Sequence, residues 1–189
     1  ALKAASSQLI HKSDVGGVKL GIVDAQSLER AVQVMRDSVT LARPDVCIEG
    51  FTVQAMAQRP RARDVIVGAS VDPVFGPVIL CGQGGAAVEV IGDRAIALPP
   101  LNRSLARELI GRTGLPRLLG AWRDRPAANQ EALQDVLVAV SRMLADLPML
   151  AELDIDPLQV DEHGALALDA RIRVTPALPC GVDRFAILP

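Results

Sequence analysis

The stretch that decides the reading is Leu2-Lys3-Ala4-Ala5-Ser6-Ser7-Gln8-Leu9-Ile10-His11-Lys12-Ser13-Asp14-Val15-Gly16-Gly17-Val18. A short apolar run carries a lysine, a polar loop follows, and Val18-Lys19-Leu20-Gly21-Ile22 returns as a second strand. Gly16 and Gly17 let backbone N–H groups approach an anion, and Lys3, Lys12 and Lys19 add positive charge beside them. His11 is one of two histidines and is chemically fit to carry a proton or a phosphoryl group. The spacing matches neither the P-loop nor the dinucleotide fingerprint. On residues alone the run is a solvated turn or an anion loop.

The run resembles the nucleotide-binding loop of ATP-grasp domains in ADP-forming acyl-CoA synthetases, relatives of the succinyl-CoA synthetase β subunit. It keeps His11, Lys12, Ser13, Asp14, Val15, Gly16 and Gly17, and departs at Ser7-Gln8, where the family often has Pro-Asp. Two further blocks occur in family order. The first runs from Val53-Gln54-Ala55-Met56 through Asp64-Val65-Ile66-Val67-Gly68 and Asp72-Pro73-Val74-Phe75-Gly76-Pro77 to Gly82-Gln83-Gly84-Gly85 and Val88-Glu89. The second is Glu152-Leu153-Asp154-Ile155-Asp156-Pro157-Leu158, followed by Ala167-Leu168-Asp169-Ala170-Arg171. Asp64 stands where the family usually has Glu, and Asp156 where it has Asn.

Composition narrows the classes independently. The 189 residues can bury one core or two small ones. The net charge of −2 and the absence of tyrosine argue against a nucleic-acid partner. Apolar runs are too short for a membrane span, and no signal-peptide pattern opens the chain. Cys47, Cys81 and Cys180 are odd in number and widely spaced, so they form neither a disulfide framework nor a zinc pattern, and a cytoplasmic setting follows. The abrupt opening within a strand, without methionine, reads as a segment of a longer protein.

Patterning supplies the elements. Asp24 caps a helix whose apolar residues Leu28, Val32, Met35 and Val39 recur at helical spacing up to Leu41. Phe51 to Met56, Asp64 to Val71 and Val78 to Cys81 read as strands. Leu101 to Gly114, Leu115 to Trp122 and Ala127 to Leu147 read as helices, the last with Leu133, Leu137, Val140 and Leu144 as its core stripe. Trp122, beside Arg123 and Arg125, reads as a lid or packing residue. Near the end, Ala151 to Leu158 and Ala165 to Arg171 pair across a turn at Asp161 to Gly164. Alternation sends Glu152, Asp154 and Asp156 to one face. Such a row is a solvated acidic hairpin or a cation site completed by Asp169.

The resemblance implies the rest. The fold would be α+β, an ATP-grasp fold of two lobes with a nucleotide between them: a truncated N-terminal lobe at 1–50, a C-terminal lobe at 51–175, and a linker at 176–189 to a further domain. Cofactors would be ATP or ADP and Mg2+. Lys3, Lys12, Gly16, Gly17, Gln54, Met56 and Glu89 would contact the nucleotide. Asp156 and Asp169 would hold the metal. Asp154 would meet a phosphohistidine brought by a partner domain, and His11 would be a second phosphoryl carrier. The family reaction converts acyl-CoA, ADP and phosphate reversibly to acid, CoA and ATP. CoA-binding and phosphohistidine-bearing domains of the same protein or a partner subunit would complete it, and an oligomer fits this arrangement. The alternative is a regulatory ATP-grasp domain fused to a GNAT-type protein lysine acetyltransferase, which the tail Asp183 to Pro189 resembles.

Overall fold

The computed structural model describes residues 1–9, 12–85 and 92–176. Contacts divide the chain into two units, Ala1–Gln58 and a second beginning at Arg59. The division falls after Gln58 rather than after residue 50, because the strand Gly50–Val53 pairs with the first strand of the chain.

The first unit holds β1 (Leu2–Ala5), a 3-10 turn (Lys12–Val15), β2 (Val18–Lys19), α1 (Ala25–Ala42) and β3 (Gly50–Val53). β1 is central, antiparallel to β2 and to β3. Its alternation buries Leu2 and Ala4 against Met35 and Val39 of α1, with Leu9 closing the cluster. α1 begins where the sequence places it. The Asp24 carboxylate accepts the Ser27 amide at 2.6 Å, and the Ser27 hydroxyl answers the Asp24 amide at 3.2 Å. These bonds hold the Asp24 carboxyl below its ordinary value, the Ser27 backbone amide contributing most.

The second unit contains β4 (Arg63–Asp72), β5 (Gly76–Gln83), β6 (Arg94–Ala97), α2 (Arg103–Gly111), α3 (Leu115–Leu118), α4 (Gln130–Asp146), β7 (Leu150–Asp161), β8 (Gly164–Ala167) and β9 (Ala170–Val174). The antiparallel sheet runs β6-β5-β4-β7-β8, and β9 also pairs with β7. One face carries Val65, Val67, Ala69, Ile79, Cys81, Leu153, Leu158 and Val160, all buried under the apolar stripes of α2 and α4. The α4 stripe is the expected one, Leu133, Leu137, Val140 and Leu144. Asn102 caps α2 by accepting the Leu105 amide at 2.9 Å. Burial, and secondarily the charge of Asp93, pushes the Cys81 thiol up to about 12, so it is an inert core residue. No described helix is long and apolar enough to cross a membrane.

Three elements differ from the sequence reading. The helix expected over Leu115 to Trp122 stops at Leu118, and Trp122 instead bridges to Arg125 in a tight turn. The strand expected to reach Met56 ends at Val53, so Gln54 and Met56 lie beyond it. The returning strand near the C-terminal end is broken into β8 and β9 on either side of Leu168 and Asp169. A close approach of chain segments explains Gly84: a Cβ there would meet the Asp64 carbonyl carbon and the Val65 amide nitrogen at 2.9 Å.

Candidate functional site

In the second unit the helices cover one sheet face, and most polar residues of β4 and β7 lie on the other. Register fixes which ones. Asp64 is paired with Gln159, Gly68 with Asp154 and Ser70 with Glu152. Directly paired residues share a face, so Asp64, Gln159, Asp154 and Glu152 stand together, opposite the buried valines. The Gln159 amide donates to Asp64 at 3.3 Å. On the other side of β7, Arg171 is the register partner of Asp154, and Arg173 reaches Glu152 at 2.9 Å.

Alternation carries Asp156 toward this face, but the ladder is irregular there. Val67 pairs with Ile155 but Val65 pairs with Leu158, so two steps along β4 span three along β7. The extra residue makes a bulge at Asp156-Pro157. It resets the phase of β7, allowing both Leu153 and Leu158 to reach the core, and leaves Asp156 exposed.

Asp169 is delivered to the same place by the strand break. Leu158 pairs with Ala167 and Ile155 with Ala170, so continuing either register sets Asp169 opposite Asp156 and Leu168 opposite Pro157. A bond from the Leu168 amide to the Pro157 carbonyl at 3.1 Å holds this alignment. Although the residue as a whole is exposed, partial desolvation of its carboxyl and the charges of Asp154 and Asp64 raise that carboxyl above its ordinary value. Negative charge gathered around Asp156 in this way is what a cation would relieve. Among the described residues no group of three or more His, Cys, Asp or Glu side chains is arranged to hold a metal alone. A pair of carboxylates suits a magnesium ion that keeps phosphate oxygens and water as its other ligands.

In the first unit, Lys3 lies on β1 between the buried Leu2 and Ala4, so it emerges on the sheet face away from α1, with Thr52 as register partner. Lys12 opens the 3-10 turn. The amides of Gly16 and Gly17, expected to face an anion, are spent inside the turn. They donate to Ser13 at 3.2 Å and to Lys12 at 2.7 Å. The glycines serve the turn itself: Gly16 has φ +74°, and a Cβ on Gly17 would meet the Lys12 carbonyl at 2.8 Å. Gln54 and Met56 are exposed. His11 and Glu89 lie outside the described residues.

The ATP-grasp domain family matches residues 1–174. The chain belongs to the ATP-grasp family. This ATP-grasp chain is 37% identical over 172 residues to the β subunit of acetate–CoA ligase (ADP-forming) I from Pyrococcus furiosus, spanning 90% of this chain and 73% of that subunit. It is 37% identical to acetate–CoA ligase (ADP-forming) I of Archaeoglobus fulgidus, where it matches only 24% of the relative's length with 90% of its own. Its fold superposes on acetyl-coenzyme A synthetase 1 of Korarchaeum cryptofilum, solved with coenzyme A and Ca-AMPCP, with a TM-score of 0.85 and 32% identity over 92% of this chain and 75% of that one. A second structure of that synthetase, with Mg-AMPPCP and a phosphohistidine segment pointing towards the nucleotide-binding site, gives a TM-score of 0.74 at 28% identity, covering 93% and 76%. These relatives are ligases, and the acetyltransferase-fused alternative draws no support from them.

Sequence reasoning passed over Arg171 and Gln159, and it treated Asp64 as a strand end. The phase slip that brings these groups into relation was visible: Leu153 and Ile155 alternate, then Leu158 and Val160 alternate, three residues out of step. The raised Asp156 carboxyl gives a signed prediction. A carboxyl raised on folding contributes stability present below the ordinary carboxylate range and lost as pH rises through its folded value. In chelator-treated protein Asp156→Asn should therefore raise the melting temperature at pH 7 by about 1–2 °C, a modest gain because the group is screened by solvent. The gain should vanish near the acid end of the titration. Melting curves at the two pH values decide it, and a variant that melts lower at pH 7 contradicts the assignment.

Proposed function

We propose that this chain is the nucleotide-binding part of an ADP-forming acyl-CoA ligase, handling phosphoryl transfer between a nucleotide and histidine. The observation that carries the proposal is the alignment of Asp156 with Asp169 across the bulge and strand break, beside Asp64 and Asp154. Phosphoryl transfer needs positioning and charge neutralisation more than covalent help. Asp156 and Asp169 would hold Mg2+, which when bound neutralises phosphate charge. Lys3 would pair with phosphate oxygens, and Lys12 would draw the incoming anion. Gln54 and Met56 would contact the base, and Glu89 the nucleotide. Gly16 and Gly17 shape the loop rather than lend their amides. Asp154 would orient a histidine of the phosphohistidine segment, with Arg171 holding that carboxylate in place. Acid release from acyl-CoA would require CoA-binding domains of the same protein or a partner subunit.

Removing one carboxylate of the pair should weaken magnesium-dependent ADP binding about tenfold. Calorimetry on Asp169→Asn tests this against Asp146→Asn, an exposed carboxylate at the end of α4. Equal affinities in the two variants would return the acidic hairpin to a solvated role.

His11 is proposed as a phosphoryl carrier on its place in the loop motif. After incubation of the full-length protein with ATP and magnesium, an acid-labile, base-stable phosphate should map to His11. It should disappear in His11→Ala while ADP affinity stays within about twofold. Phosphate trapped only on another histidine would remove His11 from the mechanism.

A further inference from the structure

A cavity lies on the other side of the same sheet. It has a volume of about 470 Å³ and is lined by Arg63, Gln83, Arg117, Leu118, Trp122 and Arg125. Arg63 and Asp64 are consecutive on β4, so their side chains leave by opposite faces. Asp64 joins the carboxylates, while Arg63 turns toward the helices.

Arg63 is only 5% exposed. Its guanidinium donates to the carbonyls of Arg61 at 3.2 Å, Gly120 at 3.0 Å and Pro126 at 2.9 Å. Those bonds use three of the five N–H donors that a guanidinium carries. Carbonyls satisfy hydrogen bonds but bring no charge. Among the described residues no carboxylate pairs with Arg63, and a buried charge without a counter-charge is costly. Asp93 reaches the cavity wall at Gly114, where both its oxygens accept that amide, at 3.1 and 2.8 Å. Arg117 and Arg125 line the same cavity and raise its positive potential further.

The remaining wall is built by a tight turn. Trp122 and Arg125 exchange backbone hydrogen bonds of 3.0 and 2.9 Å. Arg123, between them, takes φ 52°, the only positive φ of a non-glycine among the described residues. This turn sets an indole and a guanidinium side by side on the cavity. Trp122 remains 67% exposed, and the Arg123 guanidinium covers one face of its ring at 5.5 Å from the centroid, so the indole is open apart from that face.

We propose that this cavity binds a phosphate group. Guanidinium groups match phosphate oxygens in charge and fork geometry. The exposed indole would stack on a planar ring if the phosphate is borne by one. The site goes beyond the nucleotide-binding reading, because it lies on the opposite face of the sheet and uses none of the carboxylates.

Trp122 is the only tryptophan and there is no tyrosine, so tryptophan fluorescence reports on this cavity. The full chain carrying Asp169→Asn, without divalent metal and at constant ionic strength, would be titrated separately with inorganic phosphate and with AMP. A saturable change half-complete at or below about 1 mM is expected. Saturation by phosphate as tightly as by AMP assigns the site to the free anion, and tighter saturation by AMP assigns it to a ring-borne phosphate. Adding Arg117→Ala and Arg125→Ala, both at exposed positions, should weaken the response about tenfold without lowering the melting temperature. No saturable change with either probe, a change reproduced by chloride, or an unaltered titration in the arginine variant would each overturn the proposal.

Discussion

The structure of the second unit depends on one irregularity: two steps along β4 are matched by three along β7, at Asp156-Pro157. An unbroken antiparallel ladder would have kept one phase along all of β7. With Leu153 in the core, Leu158 would then have turned away from it. The bulge lets both be buried, so the apolar pattern of the sequence is satisfied only if the extra residue exists. Its consequence for chemistry is that Asp156 leaves the ladder just where the neighbouring strand is broken and Asp169 stands. Packing on one face thus fixes a carboxylate pair on the other.

Electrostatics sets how the proposed cation would be received at this arrangement. Burial and two neighbouring carboxylates raise the Asp156 carboxyl. Arg173 answers Glu152, and Arg171 lies opposite Asp154. The resembled family's motif has asparagine at the position of Asp156, and against that motif this chain carries an additional negative charge in the group. The added charge strengthens attraction for a divalent metal and increases repulsion without one. β4 also separates opposite charges, since Asp64 and Arg63 leave its two faces. The basic cavity and the acidic face are therefore insulated by the sheet between them.

Much of this was legible in the sequence. The capping role of Asp24, the α4 stripe and the alternating strands were read from spacing, because local hydrogen bonding and burial of one face act over a few residues. The three motif blocks pointed to the family that the comparisons bear out. Other features depended on distant partners. The amides of Gly16 and Gly17 looked available for an anion because sequence does not reveal that Ser13 and Lys12 accept them. Gln54 and Met56 were assigned to a strand that ends earlier, where pairing with β1 stops. The helix placed over Trp122 gave way to a turn whose local residues do not demand it. The alignment of Asp169 with Asp156 required the registers of two strands against β7, although the slip between Ile155 and Leu158 was a usable sign.

The central claim is that Asp156 and Asp169 form the metal end of a nucleotide site. Paramagnetic NMR tests it most directly, with Mn2+ added as its ADP complex to isotopically labelled protein. The account predicts strong broadening of amide signals around 154–156 and 168–170, and little effect in the middle of α4. Broadening centred elsewhere, or the same pattern from free Mn2+ and from Mn2+-ADP in the Asp169→Asn variant, would contradict it.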